Sequence, residues 1–200
     1  MDINQIVFLF QIIFTAAIAE NMALYYFLGT CPLISVSSNL RTSFQMGLTV
    51  CFVMVISTAI NFSLYNWLLI PLHLEYLQLL FFILSIAAIT QFLELLLDRF
   101  FPDIYASFGI FLPLIAVNCA ILGVSLFVVL REYDFVTSIS YSLGSGLGWM
   151  LVICLMASLK RRVDESSVSV YLGKTGISMI IASIMAMAFY GISSLMKGLI

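Results

Sequence analysis

Charged side chains are confined to a few short clusters, and this confinement limits the folds open to the chain. The clusters lie at residues 98–103, 131–134 and 160–165, and long apolar runs separate them. Only 9% of the 200 residues are charged, against about 25% in soluble domains, so polar residues cannot cover a water-facing surface. A helical run of about 20 residues crosses about 30 Å of hydrocarbon. The sequence therefore predicts an all-α membrane protein that lies mostly in the lipid bilayer.

The apolar runs predict six transmembrane helices in a single integral membrane domain over residues 1–200. Helices are favoured because spanning backbone must satisfy its own hydrogen bonds, and the alternation typical of membrane barrels is missing from the sequence. The expected spans lie near residues 5–29, 42–65, 68–96, 104–130, 135–158 and 174–196.

Lysine and arginine predict the orientation of these spans. With six spans, the side of the membrane that carries six basic residues is expected to be cytoplasmic. It holds Arg41, Arg99, Lys160, Arg161, Arg162 and Lys174, and the other side holds Arg131 and Lys197. Both termini are then periplasmic. The sequence has no basic arm that would indicate nucleic-acid binding.

Two of the expected spans carry residues that interrupt helices. The apolar run at 6–36 would be about 46 Å long as one helix, which overshoots the bilayer. It contains Glu20-Asn21, and Gly29 and Pro32 follow, so a break is expected there. The fourth span also contains residues that interrupt helices. Its interrupting residues are Gly109, Pro113, Asn118 and Gly123.

The two interrupted spans also share a short sequence pattern. "CPLISVS" at 31–37 resembles "CAILGVS" at 119–125, and "SFQMGLTV" at 43–50 resembles "SYSLGSGL" at 140–147. An odd number of spans separates the copies, which predicts two inverted three-helix repeats, at about 5–97 and 104–200. Interrupted helices of inverted repeats meet near the midplane and build the site there. Chance similarity among apolar residues is the alternative.

The chain has four cysteines, and they fall into two pairs by context. Cys51 and Cys154 lie in continuous apolar helices, where packing explains a small buried hydrophobe. Cys31 and Cys119 lie in the interrupted spans, where either packing or metal ligation is possible. Thiolates select iron–sulfur clusters, zinc or copper(I), and the common clusters take four thiolates. Two cysteines give half a site, so the other half comes from a second polypeptide or from Cys51 and Cys154.

Three stretches resemble a known family of membrane subunits. They are "ENMALYYFLGTC" at 20–31, "LLDRFFPDIYASFGIFLPLIAVNCAILG" at 96–123 and "YSLGSGLGWML" at 141–151. Together they are similar to the E subunits of sodium-translocating NADH:quinone reductases. The related A subunits of Rnf ferredoxin:NAD oxidoreductases share "GIFLPLI" and "NCA". The Glu-Asn pair at 20–21, "LDRFFP" at 97–102 and "GSGLGWM" at 144–150 look more like the quinone reductase version.

The resemblance implies a cofactor, partners and a location. In that family a 2Fe–2S cluster lies between the E subunit and its homologue, the D subunit, with two cysteines from each. The family's motifs fall on Cys31 and Cys119 in this sequence. The resemblance also implies assembly with the A, B, C and F subunits in the bacterial inner membrane. There the chain would pass electrons across the membrane as part of a sodium-exporting enzyme, without a complete active site of its own.

Other functions stay open from the residues alone. The alternatives are the homologous subunit of an Rnf-type oxidoreductase, a small secondary transporter built from inverted repeats, and a purely structural scaffold. A carrier would keep its activity without bound iron, whereas a redox subunit would lose electron flow with either cysteine.

Three other features have more than one interpretation. Glu20 either orders the first break and influences the cluster or lies at the interface as a helix cap, because a carboxylate in the membrane is costly. Asn118 either donates a hydrogen bond towards a thiolate or satisfies backbone freed by Pro113. Gly144 and Gly148 have the small-xxx-small spacing that lets helices approach closely, so packing is expected there.

Overall fold

The computed structural model describes residues 3–37, 39–71, 73, 75–100, 112–164 and 169–197, and every regular element in those ranges is a helix. The prediction of an all-α protein is confirmed. The helices are α1 (Ile3–Phe14), α2 (Thr30–Val36), α3 (Leu40–Leu64), α4 (Gln78–Phe100), α5 (Leu112–Ala116), α6 (Cys119–Leu130), α7 (Phe135–Asp164) and α8 (Ser169–Lys197). A π-helical segment extends α1 over Thr15–Ala19 and another extends α3 over Tyr65–Leu69, and a 3₁₀ turn at Glu75–Leu77 precedes α4.

Five helical segments in the described part of the chain are long and apolar enough to cross a membrane. They are Leu40–Leu69, Gln78–Leu96, Pro113–Leu130, Phe135–Val163 and Thr175–Leu195, and Gln5–Ala19 is a shorter apolar helix. These agree with the second, fifth and sixth expected spans within a few residues. The third begins about ten residues later than expected, because the chain turns at residues 70–73. Residues 104–111 of the fourth expected span lie outside the described residues.

The first expected span, 5–29, does not form one helix. Helical structure ends at Ala19, and α2 begins only at Thr30. The interruption begins where the sequence places the polar pair Glu20-Asn21. The second interruption is much shorter, because α5 ends at Ala116 and α6 begins at Cys119.

Helix α7 forms the centre of the protein, and α4 lies at its periphery. In the most apolar window of α7, 56% of the residues are buried inside the protein, against 17% for α4. Among the described residues, the largest buried side chain is Trp149 on α7. It belongs to one apolar core with residues from α3 and from the first interrupted segment. The core therefore lies where α7, α3 and the two interruptions meet.

Glycines on α7 permit its closest contacts, as the small-residue spacing predicts. A Cβ atom on Gly144 would lie 2.6 Å from the carbonyl oxygen of Ile13, and one on Gly148 would lie 2.5 Å from that of Ala17. Both positions therefore require glycine. The packing interpretation of "GSGLGWM" is confirmed. Gly144 contacts Ile13 and Gly148 contacts Ala17, so residue numbers increase in the same direction on both helices, and α7 runs parallel to the first helix.

Candidate functional site

The first interruption is a non-helical segment of ten residues, 20–29, that is held by side chains and by two backbone hydrogen bonds, from Tyr25 to Asn21 and from Leu28 to Met22. Asn21 is buried, and both ends of its amide are used. Its Nδ2 donates to the carbonyl oxygen of Ala17 at 2.8 Å, and its Oδ1 accepts from the backbone N–H of Ala23 at 3.0 Å. The amide thus replaces backbone hydrogen bonds that are lost where the helix ends.

Gly29 connects the first interruption to the second. Its backbone N–H donates to Sγ of Cys119 at 2.9 Å, and its carbonyl oxygen accepts from Nε1 of Trp149 at 3.3 Å. Its φ of 78° lies in the left-handed region, which favours glycine. A Cβ atom here would lie 2.7 Å from Trp149 Nε1 and 2.9 Å from both Ala120 Cβ and Asn118 Oδ1. No other residue type fits this position without moving its neighbours.

The second interruption is compact and ends in an N-cap. Asn118 has extended backbone geometry, and its Oδ1 accepts from the backbone N–H of Ala120 at 3.0 Å. Asparagine is among the preferred N-cap residues, because its side chain satisfies a free N–H of the first turn. Helix α6 therefore begins at Cys119, and the thiol lies at the first helical position.

The two cysteines of the interrupted segments differ in their surroundings. Cys119 is half-buried and accepts the hydrogen bond from Gly29, whereas Cys31 is exposed on the second residue of α2. Cys31 follows Gly29 by two positions. The stretch 29–31 therefore carries the thiol of Cys31 and, through Gly29, contacts the thiol of Cys119. The structure thus brings the neighbourhoods of the two predicted ligands together.

The opposite end of α2 is capped by a lysine from α7. Nζ of Lys160 donates to the carbonyl oxygen of Ile34 at 2.9 Å and to Oγ of Ser37 at 3.1 Å. A cation near the last carbonyl groups of a helix satisfies free acceptors and interacts favourably with the helix dipole. Lys160 therefore stabilises the short helix that carries Cys31.

Cys51 and Cys154 are half-buried within α3 and α7. A Cβ atom on Gly146 would lie 2.8 Å from Sγ of Cys51, so this thiol fills space at the contact between the two helices. The packing interpretation fits this position. Within the described residues, no group of three or more histidine, cysteine, aspartate or glutamate side chains is placed to hold a metal ion.

An ion pair links the start of the first interruption to the end of α6. Nη2 of Arg131 lies 2.7 Å from Oε2 of Glu20, and the two side chains are 29% and 15% exposed. Arg131 also donates to the hydroxyl groups of Tyr26 and Tyr133, each at 3.2 Å. Its guanidinium lies 5.5 Å from the ring centre of Tyr141. Partial burial acts to lower the pKa of Arg131, but the hydrogen bonds to Tyr133 and Glu20 outweigh it and raise the pKa above its usual value, so the arginine stays charged.

A cavity of about 240 Å³ lies against this ion pair. Residues of the first helix and the aromatic residues around Arg131 line it. The hydroxyl group of Tyr141 is buried beside it and has no hydrogen-bond partner within the described part of the chain. The wall of the cavity is mostly apolar, and Glu20, Arg131 and the hydroxyl group of Tyr141 are among its few polar groups.

Comparison with known proteins identifies the family. A model described as "Rnf-Nqr subunit, membrane protein" matches residues 9–196, which is nearly the whole chain. The chain belongs to the Rnf-Nqr family of membrane subunits. It is 43% identical over 184 residues to the E subunit of the Na(+)-translocating NADH-quinone reductase of Serratia proteamaculans, and the match covers 89% of this chain and 93% of that protein.

Two further relatives give the same result. The E subunit of the Na(+)-translocating NADH-quinone reductase of Nitrosomonas europaea is 42% identical over 191 residues, or 90% of this chain and 95% of that protein. Its counterpart from Proteus mirabilis is 41% identical over 184 residues, or 89% and 93%. The resemblance inferred from the sequence motifs is confirmed, and the chain is a multi-pass protein of the bacterial inner membrane, as Rnf-Nqr membrane subunits are.

Some contacts of this Rnf-Nqr subunit could not be anticipated from the sequence. The partner of Glu20 is Arg131, and no pattern in the sequence joins the two. Lys160 contributes to the cap of α2, whereas the sequence indicated only that it helps to set the membrane orientation. Trp149 contacts Gly29, although the sequence marked its segment only for helix packing. The detectable signal was Glu20 itself, because a carboxylate within or near the membrane requires a partner.

Proposed function

We propose that this chain is the E subunit of a sodium-translocating NADH:quinone reductase, and that Cys31 and Cys119 supply two of the four thiolates of a 2Fe–2S cluster. The observation that carries the proposal is the hydrogen bond from the N–H of Gly29 to Sγ of Cys119. It joins the segment that carries Cys31 to the thiol of Cys119 across 90 positions of the chain. When bound, such a cluster accepts and releases one electron at a time.

The donor set of this chain fits half of such a cluster. Both thiols follow an interruption, and Cys31 is exposed, so a second polypeptide can reach it. The described residues offer no third and fourth ligand beside them, and the contact between Cys51 and Gly146 gives Cys51 a packing role. A homologous D subunit, as the resemblance implies, would contribute the remaining two thiolates. The A, B, C and F subunits would complete the enzyme.

The residues around Cys119 support the orientation of its thiol. Gly29 donates to one thiol, Trp149 closes the inner side of the segment, and Asn118 fixes the first turn of α6. Trp149 is fully buried and Asn118 is 3% exposed, whereas Cys119 is only half-buried, so its thiol stays within reach of a partner. A redox centre placed inside about 30 Å of hydrocarbon shortens each electron-transfer distance between the two faces of the membrane.

We also infer that the chain consists of two inverted three-helix repeats, at about 5–97 and 104–200. Helices α3 and α7, which follow Cys31 and Cys119, support this. A Cβ atom on Gly47 would touch Met150, and one on Gly146 would touch Cys51. The contact moves from residue 47 to residue 51 on α3 and from residue 150 back to residue 146 on α7. The two helices therefore run antiparallel, as corresponding helices of an inverted repeat must. The distribution of lysine and arginine supports periplasmic termini.

The test is the iron and sulfide content of the purified complex, together with its electron paramagnetic resonance spectrum. Complexes would carry the wild-type chain or the variants Cys31→Ala, Cys119→Ala and Cys51→Ala. We expect the Cys31 and Cys119 variants to lose both irons of the cluster and its signal, while Cys51→Ala retains them. An unchanged signal in all variants would leave the cysteines with packing roles and would favour a transporter.

A second assay separates the two branches of the family. We expect the complex to reduce quinone with NADH and to respond to sodium ions. Electron transfer from reduced ferredoxin to NAD, without NADH:quinone activity, would assign the chain to the Rnf branch instead.

A further inference from the structure

The side chain of Asn118 carries a hydrogen-bond donor that nothing in the described chain uses. Its Oδ1 is fixed by the N–H of Ala120, and a backbone N–H requires an acceptor, so this bond also decides which terminal atom is oxygen. The other atom, Nδ2, is buried and has no hydrogen-bond partner among the described residues. Leaving a buried N–H₂ group without an acceptor is costly. An acceptor from outside the described residues is therefore expected.

The amide of Asn118 and the thiol of Cys119 both lie close to Gly29. Its Oδ1 would be 2.9 Å from a Cβ atom on Gly29, and the N–H of Gly29 is 2.9 Å from Sγ of Cys119. The amide, the glycine and the thiol thus form one contact cluster at the start of α6. An iron–sulfur cluster held at Cys119 would bring several electron-rich sulfur atoms next to this amide.

We propose that Nδ2 of Asn118 donates a hydrogen bond to a sulfur atom of the 2Fe–2S cluster and, together with the N–H of Gly29, sets the reduction potential. This inference rests on the proposed function. Reduction by one electron makes the cluster more negative, so hydrogen-bond donors stabilise the reduced form more than the oxidised form. Both donors therefore raise the potential. Asn118 is a positioning and tuning residue, and the thiolate of Cys119 remains the ligand.

Asn21 provides a matched control within the same chain. Its Oδ1 also accepts from the backbone N–H two residues later, Ala23, and its side chain is equally buried. Its Nδ2, however, is satisfied by the carbonyl oxygen of Ala17 at 2.8 Å. The two asparagines accept the same kind of hydrogen bond from the N–H two residues later, and they differ in whether the second donor has a partner.

The experiment is a redox titration of the cluster signal in the intact complex carrying Asn118→Ser, Asn118→Asp or Asn21→Ser. Serine and aspartate both keep an oxygen that caps a helix, but neither offers the amide N–H₂. We expect the midpoint potential to fall in Asn118→Ser and to fall further in Asn118→Asp, because a carboxylate adds negative charge. Asn21→Ser should leave the potential unchanged. A potential in Asn118→Ser equal to that of the wild type would overturn the inference, as would an equal fall in Asn21→Ser.

A spectroscopic measurement decides the question even if the Asn118 variants fail to assemble. Complex grown with asparagine labelled with ¹⁵N in the side chain alone would be studied by pulsed electron paramagnetic resonance in the reduced state. We expect a ¹⁵N coupling in the wild type that persists in Asn21→Ser. Absence of any coupling to an asparagine side chain would contradict the hydrogen bond directly.

The Cys119→Ala complex separates failure of this inference from failure of the proposed function. A cluster signal that survives Cys119→Ala overturns both. A signal that disappears in Cys119→Ala, but keeps its potential in Asn118→Ser, overturns the role of Asn118 alone.

Discussion

Each of the two interruptions precedes one of the two predicted ligand cysteines, but different contacts hold them in place. The first extends over residues 20–29 and is held by distant side chains, namely Arg131 on Glu20 and Trp149 on Gly29. The second takes only Val117 and Asn118, and a local N-cap closes it. The thiol after the long interruption is exposed, and the thiol after the short one is half-buried.

This difference indicates a division of labour between the two thiols, in that Cys119 is held by local contacts and Cys31 by long-range contacts. Cys119 is fixed from within the chain, because its backbone is capped and its sulfur accepts a hydrogen bond. Cys31 lies on a short helix whose position depends on contacts with Lys160 and on the long segment before it. We expect changes at the first interruption to act through long-range contacts, and changes at the second to act locally on the cluster.

The largest effect is expected for Gly29→Ala, because this residue joins both interruptions. The left-handed backbone costs a residue with a Cβ atom about 1–2 kcal/mol, and overpacking against Trp149 and Asn118 adds about 1–3 kcal/mol. We expect a lower melting temperature of the complex, followed by tryptophan fluorescence, and partial loss of the cluster signal.

Gly173→Ala is the matched control for this substitution. Gly173 has a φ of 69°, but nothing lies within 4 Å of a Cβ atom there. Its ψ of 154° places the backbone in a region that is almost restricted to glycine, so alanine should cost about 1–3 kcal/mol through backbone strain alone and keep the cluster. Full retention of the cluster signal in Gly29→Ala, as in Gly173→Ala, would contradict the role of Gly29 as the link between the two interruptions.

A second prediction compares the two cysteines in stability rather than in cluster content. Both Cys31→Ala and Cys119→Ala should lose the cluster, but only Cys119→Ala also leaves the N–H of Gly29 without an acceptor. An unsatisfied buried donor costs about 1–3 kcal/mol. We therefore expect the Cys119→Ala complex to melt at a lower temperature than the Cys31→Ala complex. The reverse order would contradict the division of labour between the thiols.

A smaller effect is expected when the ion pair of the first interruption is removed. Arg131→Met and Glu20→Gln each delete one charge of a partly exposed pair, which we expect to cost about 1 kcal/mol. Hydrogen–deuterium exchange should increase in residues 20–29 and stay unchanged around Asn118. The double variant should be little worse than Arg131→Met alone, since that variant already removes the ion pair together with the hydrogen bonds to Tyr26 and Tyr133. Increased exchange at both interruptions would mean that they are not held independently.

The smallest effect is expected at the far end of α2. Lys160→Met removes a cation and hydrogen-bond donor from the last turn of this helix, which we expect to cost about 0.3–1 kcal/mol. The cluster should persist, with increased exchange confined to residues 30–37. Arg162→Gln, an exposed charge two residues away, is the control and should change neither. A loss of the cluster in Lys160→Met would assign this lysine a larger role than that of a helix cap.

Much of the fold was predictable because hydrophobic length and helix-breaking residues act locally. The charge clusters delimited the helices, Glu20-Asn21 marked the start of the first interruption, and the spacing of Gly144 and Gly148 predicted a close helix contact. The spans near residues 42, 135 and 174 follow from apolar length alone. The late start of α4 was not predictable, because it depends on a turn at residues 70–73 inside an apolar run.

The contacts that position the thiols could not be inferred from the sequence. The pairs Glu20–Arg131, Ile34–Lys160 and Gly29–Cys119 join residues about 90–126 positions apart, and their existence depends on how the helices pack. Asn118 was a candidate because it precedes Cys119, but the sequence left open whether its amide serves the backbone or a thiolate. The structure gives one end of the amide to the backbone and leaves the other end without a partner among the described residues.

The central claim is that Cys31 and Cys119 together hold half of a cluster shared with another polypeptide of the complex. The most direct measurement is an iron anomalous difference map, or a cryo-electron microscopy map, of the intact complex. We expect two irons within bonding distance of the sulfur atoms of Cys31 and Cys119 and of two cysteines from one neighbouring chain. Iron bound away from either thiol, or no iron between the two chains, would contradict the claim.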